Sequence, residues 1–291
     1  MSEKLAVVIL TFNSAGLIER TLAAAQRVSS SIICVDSGST DGTVDVLHRY
    51  GCEVYERPFK HYADQRNWVI QTIAGRDSWQ LHLDADEILD DEAIAAIIAA
   101  VADPEGRAGF LLRRRTYFLG QALRHSGTGI WHLRLFRSGT CEDRLYDQHF
   151  ICSGSVGRLS GWIHDMNVGT LTEWINRHNR WSDLEARELL RADTAGAGLL
   201  QAHLLGDPRE RRRSYKGWYY RAPPFLRAWG YFLVRYFLML GFLDGRVGFL
   251  YAFFQALWFR MLVDAKLAEA LESQETQAQA SIASPADKAC G

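Results

Sequence analysis

The chain has little of what marks several large classes of protein. Only five of its 291 residues are cysteine, at positions 34, 52, 141, 152 and 290, and none forms a CxxC pair. The odd count and scattered spacing argue against a zinc site and a disulfide framework, and they favour a reducing compartment. The formal net charge is only −1, with a pI of about 6.8, so the overall composition does not indicate a nucleic-acid partner.

A secretion signal is not predicted either. The N-terminus "MSEKLAVVIL" runs into an apolar stretch that is too short for a signal peptide, so we expect a cytosolic protein or one on the cytosolic side of a membrane. The basic runs at 113–115 and 209–213 are local, and we interpret both as solvated faces.

The first hundred residues alternate short apolar runs with helical patterns. The runs at 5–10, 31–36, 53–58 and 79–84 predict strands, and the segments 15–28, 43–51, 62–75 and 91–102 predict helices. Repeated units of this length indicate an α/β fold with a mainly parallel sheet flanked by helices. From residue 109 the strands are longer and connected through a glycine-containing hairpin region, which predicts that the sheet becomes mixed.

The pattern predicts three parts. Residues 1–190 would form the catalytic domain, 191–272 a helical, aromatic-rich extension, and 273–291 a disordered polar tail.

Polar side chains follow three of the predicted strands. They are "TFN" at 11–13, "DSGSTDGT" at 36–43 and "DADE" at 84–87. Because ligands bind at the carboxyl ends of parallel strands, we expect the three clusters to face one cleft. The "DSGSTDGT" cluster alone is also compatible with a loop that caps a helix.

The "DADE" cluster places two carboxylates two residues apart. In an extended segment Asp84 and Asp86 point the same way, and two carboxylates on one point repel unless a cation lies between them. A hard divalent ion, Mg²⁺ or Mn²⁺, would satisfy them and complete its shell with substrate phosphates. The alternative is an exposed acidic turn before a helix N-terminus.

In their order and spacing, "VVILTFNSAGLIERTL", "IICVDSGSTDGT" and "LHLDADE" resemble an inverting family 2 glycosyltransferase with the GT-A fold. The resemblance is densest over residues 4–92 and continues to about 190. It is closest to bacterial enzymes of lipopolysaccharide core or exopolysaccharide biosynthesis, of the β-1,4-glucosyltransferase-like group. It implies a nucleotide-sugar donor, foremost a UDP-sugar, and a glycan or lipid-linked acceptor.

The resemblance also implies roles for individual residues. Those at the nucleotide sugar would be Thr11, Phe12, Asn13, Asp36, Ser37, Arg66 and Asp84, with Phe12 stacking on the base. Asp86 would coordinate the metal, whereas His82 is interpreted as a structural histidine of the strand.

An inverting transfer also needs a general base for the acceptor hydroxyl. The candidate is Asp147 in "RLYDQHF", with His149 as a metal ligand, acceptor contact or alternative base. In the commoner form of the motif the aspartate follows another acid, whereas Asp147 follows Tyr146. Glu142 and Asp143 therefore stay open as alternatives.

Three other functions stay open. A polyprenyl-phosphate sugar synthase would keep the fold and use Arg113–Arg115 for the lipid phosphate. A nucleotidyltransferase would normally have a glycine-rich basic loop in place of "TFNSAG". The third possibility is a non-catalytic nucleotide-sugar binder.

The aromatic stretch 225–262 suggests where the protein works. Arg235 and the "DGR" at 244–246 break it into pieces 228–243 and 247–263, each short for a membrane span. We expect these pieces to lie at the membrane interface, with arginines at lipid phosphates, on the inner face of a bacterial plasma membrane. The alternative is that the aromatics cover the catalytic domain or a dimer contact.

Overall fold

The strands of this computed structural model lie almost entirely in the first 165 residues. The structure describes residues 4–76, 78–145, 148–166, 169–192 and 202–283. Its strands are β1 Leu5–Thr11, β2 Ser31–Asp36, β3 Glu53–Glu56, β4 Trp79–Asp84, β5 Glu87–Leu89, β6 Gly109–Phe118, β7 Gln121–Ala122, β8 Ile130–Phe136, β9 Gly139–Cys141, β10 Phe150–Cys152 and β11 Val156–Asp165. Its α-helices are α1 Ile18–Gln26, α2 Thr43–Arg49, α3 Tyr62–Thr72, α4 Asp91–Ala102, α5 Leu171–Ala192, α6 Pro208–Arg221, α7 Leu226–Leu233, α8 Gly245–Ala252 and α9 Phe259–Ala283.

One large sheet has the strand order β3-β2-β1-β4-β8-β6-β11-β5, with β7 paired to β6. Strands β1 to β4 are parallel, β8 is antiparallel to both β4 and β6, and β11 is parallel to β6. This confirms the mixed, mainly parallel α/β sheet. Because β5 follows β4 after only two residues yet pairs with β11, the sheet curls and brings its β5 edge next to the end of β4.

Helices cover both faces of the parallel part, as predicted. Alternate residues of β1 point to opposite sides, and Val7 and Ile9 pack in the cluster that contains α1, α2 and α4. Ala6 and Val8 pack instead against Val69 and other residues on the α3 side. Asp90 caps α4 by accepting a hydrogen bond from the Ala93 amide at 2.8 Å, which fixes the helix directly after the acidic turn.

The C-terminal part forms a helical hairpin. Helix α7 continues as π-helical turns over Val234–Leu238, and a 3₁₀ turn over Gly241–Asp244 leads into α8. Leu240 and Gly245 have positive φ values of 57° and 63°, which ends the first arm and starts the second. The break in the aromatic stretch is therefore confirmed.

The second arm is longer than the sequence indicated. It runs from α8 through π-helical turns at Phe253–Trp258 into α9, which ends at Ala283. The segment from Ser273 to Ala283 was predicted to be part of a disordered tail, but it is helical in the structure. Its alanine, glutamine and glutamate residues favour helix. Residues 284–291 lie outside the described residues. Among the described residues, the helical stretch Gly241–Gln277 is long and apolar enough to cross a membrane by length and composition alone.

Candidate active site

The loops after β1 and β2 are held together by the carboxylate of Asp36. It is fully buried and accepts four hydrogen bonds, from the Thr11 hydroxyl (2.8 Å), the Ser39 hydroxyl (2.6 Å) and the amides of Gly38 (2.9 Å) and Ser39 (2.7 Å). In this arrangement Thr11 and Asp36 shape the loops. The direct contact with base or ribose that the resemblance implies for Asp36 stays a prediction.

Side chains beside this buried group form the surface of the cleft. Phe12 is 59% exposed, so its ring is free to stack on a flat ligand. Asn13 has a φ of 45° and accepts a hydrogen bond from the Thr40 amide at 2.9 Å, which joins the two loops. The Ser37 hydroxyl accepts a hydrogen bond from Gln65 of α3 at 2.8 Å.

Asp84, the last residue of β4, lies between two arginines. Arg66 contacts one carboxylate oxygen at 2.9 Å, and Arg134 of β8 contacts the other at 3.3 Å. Burial alone would raise the pKa of Asp84, but the two guanidinium groups hold that pKa well below its usual range. The structure thus brings together Arg66 and Asp84, two of the predicted nucleotide-sugar residues, and neutralises the acid with protein cations.

Asp86 is in the opposite situation. Among the described residues, no cationic side chain pairs with it. Burial, followed by the nearby carboxylates of Asp165, Asp84 and Glu87, raises the pKa of Asp86 to about 7. Of the two aspartates in the motif, Asp86 is therefore the one without a cationic partner among the described residues.

Glu87 stabilises the acidic turn through buried contacts. It is buried and contacts Arg134 at 2.5 Å, and it accepts a hydrogen bond from the Asp84 amide at 3.0 Å. These two contacts fix the backbone on both sides of Asp86, so Glu87 is a positioning residue.

Sequence reasoning missed two residues at this site. Arg134 lies in the otherwise apolar run "LRLF", and a charge inside a buried strand was the available signal. Asp165 ends β11, and no local pattern indicated that the curled sheet would bring it next to Asp86. The next residue, Met166, donates its backbone amide to the Asp86 carbonyl at 3.1 Å, and this proximity is visible only in the fold.

Not every predicted catalytic residue can be placed. Asp147 lies outside the described residues. His149 is buried at the start of β10, and its carbonyl accepts a hydrogen bond from the Glu142 amide at 2.9 Å. Glu142, an alternative base, is buried and bound by Arg213 through two contacts of 2.8 and 2.7 Å, whereas Asp143 is 84% exposed.

Residue His82 is structural, as predicted. Its ring is buried, stacks on Phe136 with a centroid distance of 5.0 Å, and lies 3.1 Å from the Gln80 side-chain oxygen. Burial lowers the pKa of His82 well below its usual value, so the ring is neutral.

The two basic runs are solvated only in part: Arg113 and Arg211 are exposed, as expected, whereas the other arginines of the runs are partly or fully buried. Arg113 lies over the ring of Trp131 at 4.7 Å, and Arg115 lies over Trp162 at 3.9 Å. In the second run Arg209 is buried and donates to the Phe150 carbonyl at 2.8 Å. Guanidinium groups pack on aromatic rings and satisfy buried carbonyls, and a charge run alone does not reveal this.

The donor set at the acidic turn fits a hard divalent cation. Carboxylate oxygens are the ligands that Mg²⁺ and Mn²⁺ prefer, and the Asp86 carboxylate has no protein cation beside it. Within the described residues, no group of three or more His, Cys, Asp or Glu side chains is arranged to hold a metal. Such an ion would therefore need substrate oxygens to complete its coordination.

A family model described as glycosyl transferase family 2 matches residues 6–163, more than half of the chain. This chain therefore belongs to glycosyltransferase family 2, and the observed α/β architecture is the GT-A fold expected from the resemblance.

Individual relatives agree with this assignment. A lipopolysaccharide core biosynthesis glycosyltransferase, LpsC, of Rhizobium meliloti is 26% identical over 270 residues, covering 87% of this chain and 90% of the relative. An uncharacterized glycosyltransferase of Rickettsia typhi is 31% identical over 203 residues, covering 65% of this chain and 69% of the relative. Another, of Rickettsia bellii, is 36% identical over 92 residues, covering 32% of this chain. This chain spans about a third, 31%, of the length of that relative.

Solved structures show more distant likeness. A mannosyltransferase of Pyrobaculum calidifontis, in complex with GDP-mannose and Mn²⁺, has a TM-score of 0.46 at 15% identity and covers 97% of this chain and 81% of its own. A glucosyl-3-phosphoglycerate synthase of Mycobacterium tuberculosis, in complex with Mn²⁺ and UDP-glucose, has a TM-score of 0.32 at 19% identity, covering 40% of this chain and 44% of its own.

Proposed function

We propose that the protein transfers a sugar, with inversion at the anomeric carbon, from a nucleotide-diphosphate donor to a glycan or lipid-linked acceptor of a bacterial surface polysaccharide. The observation that carries the proposal is the acidic turn after β4. There Asp84 is neutralised by Arg66 and Arg134, whereas Asp86 next to it has no protein cation. This arrangement leaves one carboxylate for a metal–diphosphate group beside the loops that would hold the nucleoside.

The chain's own residues would bind and orient the donor. Phe12 would stack on the base, and Asn13 and Ser37 would present polar atoms to the nucleoside. Arg66 lies 2.9 Å from Asp84 and over the ring of Phe150 at 5.1 Å, and these contacts fix its guanidinium beside the acidic turn. We expect its remaining N–H groups to contact the donor phosphates.

Asp86, with Asp84 beside it, would hold Mg²⁺ or Mn²⁺. When bound, such an ion would offset the negative charge that develops on the leaving diphosphate. Glu87 and Arg134 would keep the turn in place as the donor binds.

For the acceptor side, Asp147 remains the sequence-based candidate for the general base, and His149 the candidate for a metal ligand, acceptor contact or alternative base. If Asp147 is the base, Asp147→Asn should lower turnover by roughly 10²–10⁴ and leave donor affinity near that of the wild type.

A ligand screen tests the donor class. The melting temperature of the purified protein would be measured with UDP, GDP, dTDP and CMP, each with and without Mn²⁺. We expect one nucleoside diphosphate to raise the melting temperature, and only with the metal present, because a ligand that binds the folded state stabilises it. No shift with any nucleotide would contradict the proposal.

The exposed ring of Phe12 gives a prediction about donor affinity. Base–aromatic stacking contributes about 1–3 kcal/mol, so Phe12→Ala should weaken nucleotide binding by roughly 5- to 150-fold. Because the ring would contact the base and not the transferred sugar, turnover at saturating donor should change little. Phe59→Ala is the matched control, since that ring is also exposed, at 48%, but is not part of the "TFN" loop. Equal affinity of the Phe12 variant and the control would contradict the stacking role.

The C-terminal hairpin supports attachment to a membrane surface. Its outer side presents an apolar surface, here called the hairpin patch, in which every side chain is at least 37% exposed: Leu226, Trp229, Leu233, Phe237, Leu238, Met239, Leu240, Phe242, Leu243, Phe249 and Phe253. Contiguous exposed apolar surface of this kind marks interaction sites. Exposed Arg124 and Arg246 lie near its tip, where Asp244 accepts a hydrogen bond from the Arg124 amide.

The sequence predicted that the arginines of the hairpin lie at lipid phosphates. For three of them the structure shows contacts inside the protein instead. Arg227 and Arg235 are buried, pairing with Asp264 and with the Ser126 carbonyl, and Arg260 contacts Glu185 at 2.9 Å. Buried guanidinium groups need such partners, and these three arginines are engaged by contacts within the protein. We propose peripheral attachment through the hairpin patch, on the cytosolic face of the inner membrane.

Two leucines near the tip test this attachment. Leu238 is 77% and Leu243 55% exposed, so Leu238→Asp and Leu243→Asp should leave the fold intact. Each should weaken binding to anionic liposomes by about tenfold or more, the effect of withdrawing a leucine side chain from an apolar phase. Ile98→Asp, at a 47% exposed position of α4, is the control. Unchanged liposome binding by both leucine variants would contradict the proposal.

A further inference from the structure

The curl of the sheet brings a second strand end to the acidic turn. Strand β11 is parallel to β6 and ends at Asp165, which is aligned with Thr116. On its other side β11 pairs with β5, where Asp165 is aligned with Glu87. Because the Met166 amide donates to the Asp86 carbonyl at 3.1 Å, Asp165 is tied to the same turn that carries Asp86.

The charges around the turn alternate in sign. Arg66 contacts Asp84, Arg134 contacts both Asp84 and Glu87, and Arg114 lies 3.9 Å from Glu87 and 3.6 Å from Asp165. The series begins on α3, beside the nucleotide loops, and ends at Asp165. Asp165 is therefore at the opposite end of this series from Arg66.

The surroundings of Asp165 suit an acid that reacts. Its side chain is 18% exposed, so it is partly accessible to solvent. Among the described residues its cationic neighbour is Arg114, and at 3.6 Å this contact is longer than a hydrogen bond. Glu142 is instead bound by Arg213, and Asp143 is largely surrounded by solvent.

We infer that Asp165 is the general base, accepting the proton of the acceptor hydroxyl as its oxygen attacks the anomeric carbon. This inference rests on the proposed function, since a base is needed only if a hydroxyl is the acceptor. The C–O bond to the acceptor forms, the C–O bond to the diphosphate breaks, the bonding pair leaves with the diphosphate, and the proton passes to a carboxylate oxygen of Asp165.

Three variants test the assignment: Asp165→Asn, Asp165→Glu and Asp147→Asn. Initial transfer rate, donor affinity and melting temperature would be measured for each in the full-length protein. We expect Asp165→Asn to lower turnover by roughly 10²–10⁴ with donor affinity near wild type, because only the proton acceptor is lost. Asp165→Glu keeps a carboxylate and should recover part of the lost turnover. If Asp165→Asn lost turnover only because the fold was disturbed, the larger glutamate would not restore it.

The outcomes separate this inference from the proposed function. Wild-type turnover in Asp165→Asn, with a large loss in Asp147→Asn, would overturn the assignment and leave the proposed function standing. A folded Asp165→Asn protein that has lost donor affinity would also overturn it, because Asp165 would then act on the donor. If the wild type itself transfers no sugar from any nucleotide sugar, the proposed function fails and the inference fails with it.

Discussion

Replacing Asp86 with alanine is expected to abolish sugar transfer and leave the protein folded. The carboxylate is the acid at the turn that lacks a protein cation, and the variant removes the group proposed to hold the metal. Metal ions contribute several kcal/mol to stabilising charge in such transfers, so a loss of about a thousandfold or more in turnover is expected. The measurements are transfer rate and Mn²⁺-dependent nucleotide binding. Full activity in the variant would refute the metal role.

The contribution of Asp86 to stability depends on pH in a defined direction. The pKa of Asp86 is raised from its ordinary value of 3.8 to about 7 by burial and by neighbouring carboxylates. The stability associated with this group is therefore fully present below about pH 4 and lost as the pH rises through about 7. In EDTA at pH 8, Asp86→Asn should melt at a higher temperature than the wild type, and the difference should vanish at pH 4.

The second large effect is expected in the hairpin. Arg227 and Asp264 are almost fully buried, with Arg227 Nε at 3.0 Å from one carboxylate oxygen, and Asp264 also accepts a hydrogen bond from the Phe225 amide at 2.8 Å. Asp264→Ala leaves the guanidinium buried without its partner, so the free energy of unfolding should fall by about 3–5 kcal/mol. Chemical denaturation measures the loss.

A matched control is an ion pair that also involves α9. Asp183 of α5 pairs with Lys266 of α9 at 2.5 Å but is 45% exposed, so Asp183→Ala should cost less than about 1 kcal/mol. Equal losses in the two variants would show that burial does not set the strength of these ion pairs. A loss confined to Asp264→Ala would support the hairpin as a packed part of the protein.

The parallel half of the sheet and its loops were predictable because their signals are local. Apolar runs followed by "TFN", "DSGSTDGT" and "DADE" place polar side chains at strand ends, and the structure has Asp36, Asp84 and Asp86 there. Helix bounds agreed closely because caps such as Asp90 are read from adjacent residues.

Contacts between distant segments could not be predicted in the same way. Asp165 reaches the acidic turn only because β5 pairs with β11, and Arg134 reaches Asp84 only because β8 inserts between β4 and β6. The inward arginines of the hairpin illustrate the same limit. Arg227 and Arg235 carry the same local signal as exposed Arg246, and only tertiary packing separates them.

The anomeric configuration of the product tests the central claim most directly. The purified protein would be incubated with the nucleotide sugar that stabilises it, Mn²⁺ and a lipid-linked acceptor, and the new glycosidic bond examined by NMR. The account predicts a transferred sugar whose anomeric configuration is opposite to that of the donor, formed only when the metal is present. A product with retained configuration, or an equal yield in EDTA, would contradict it.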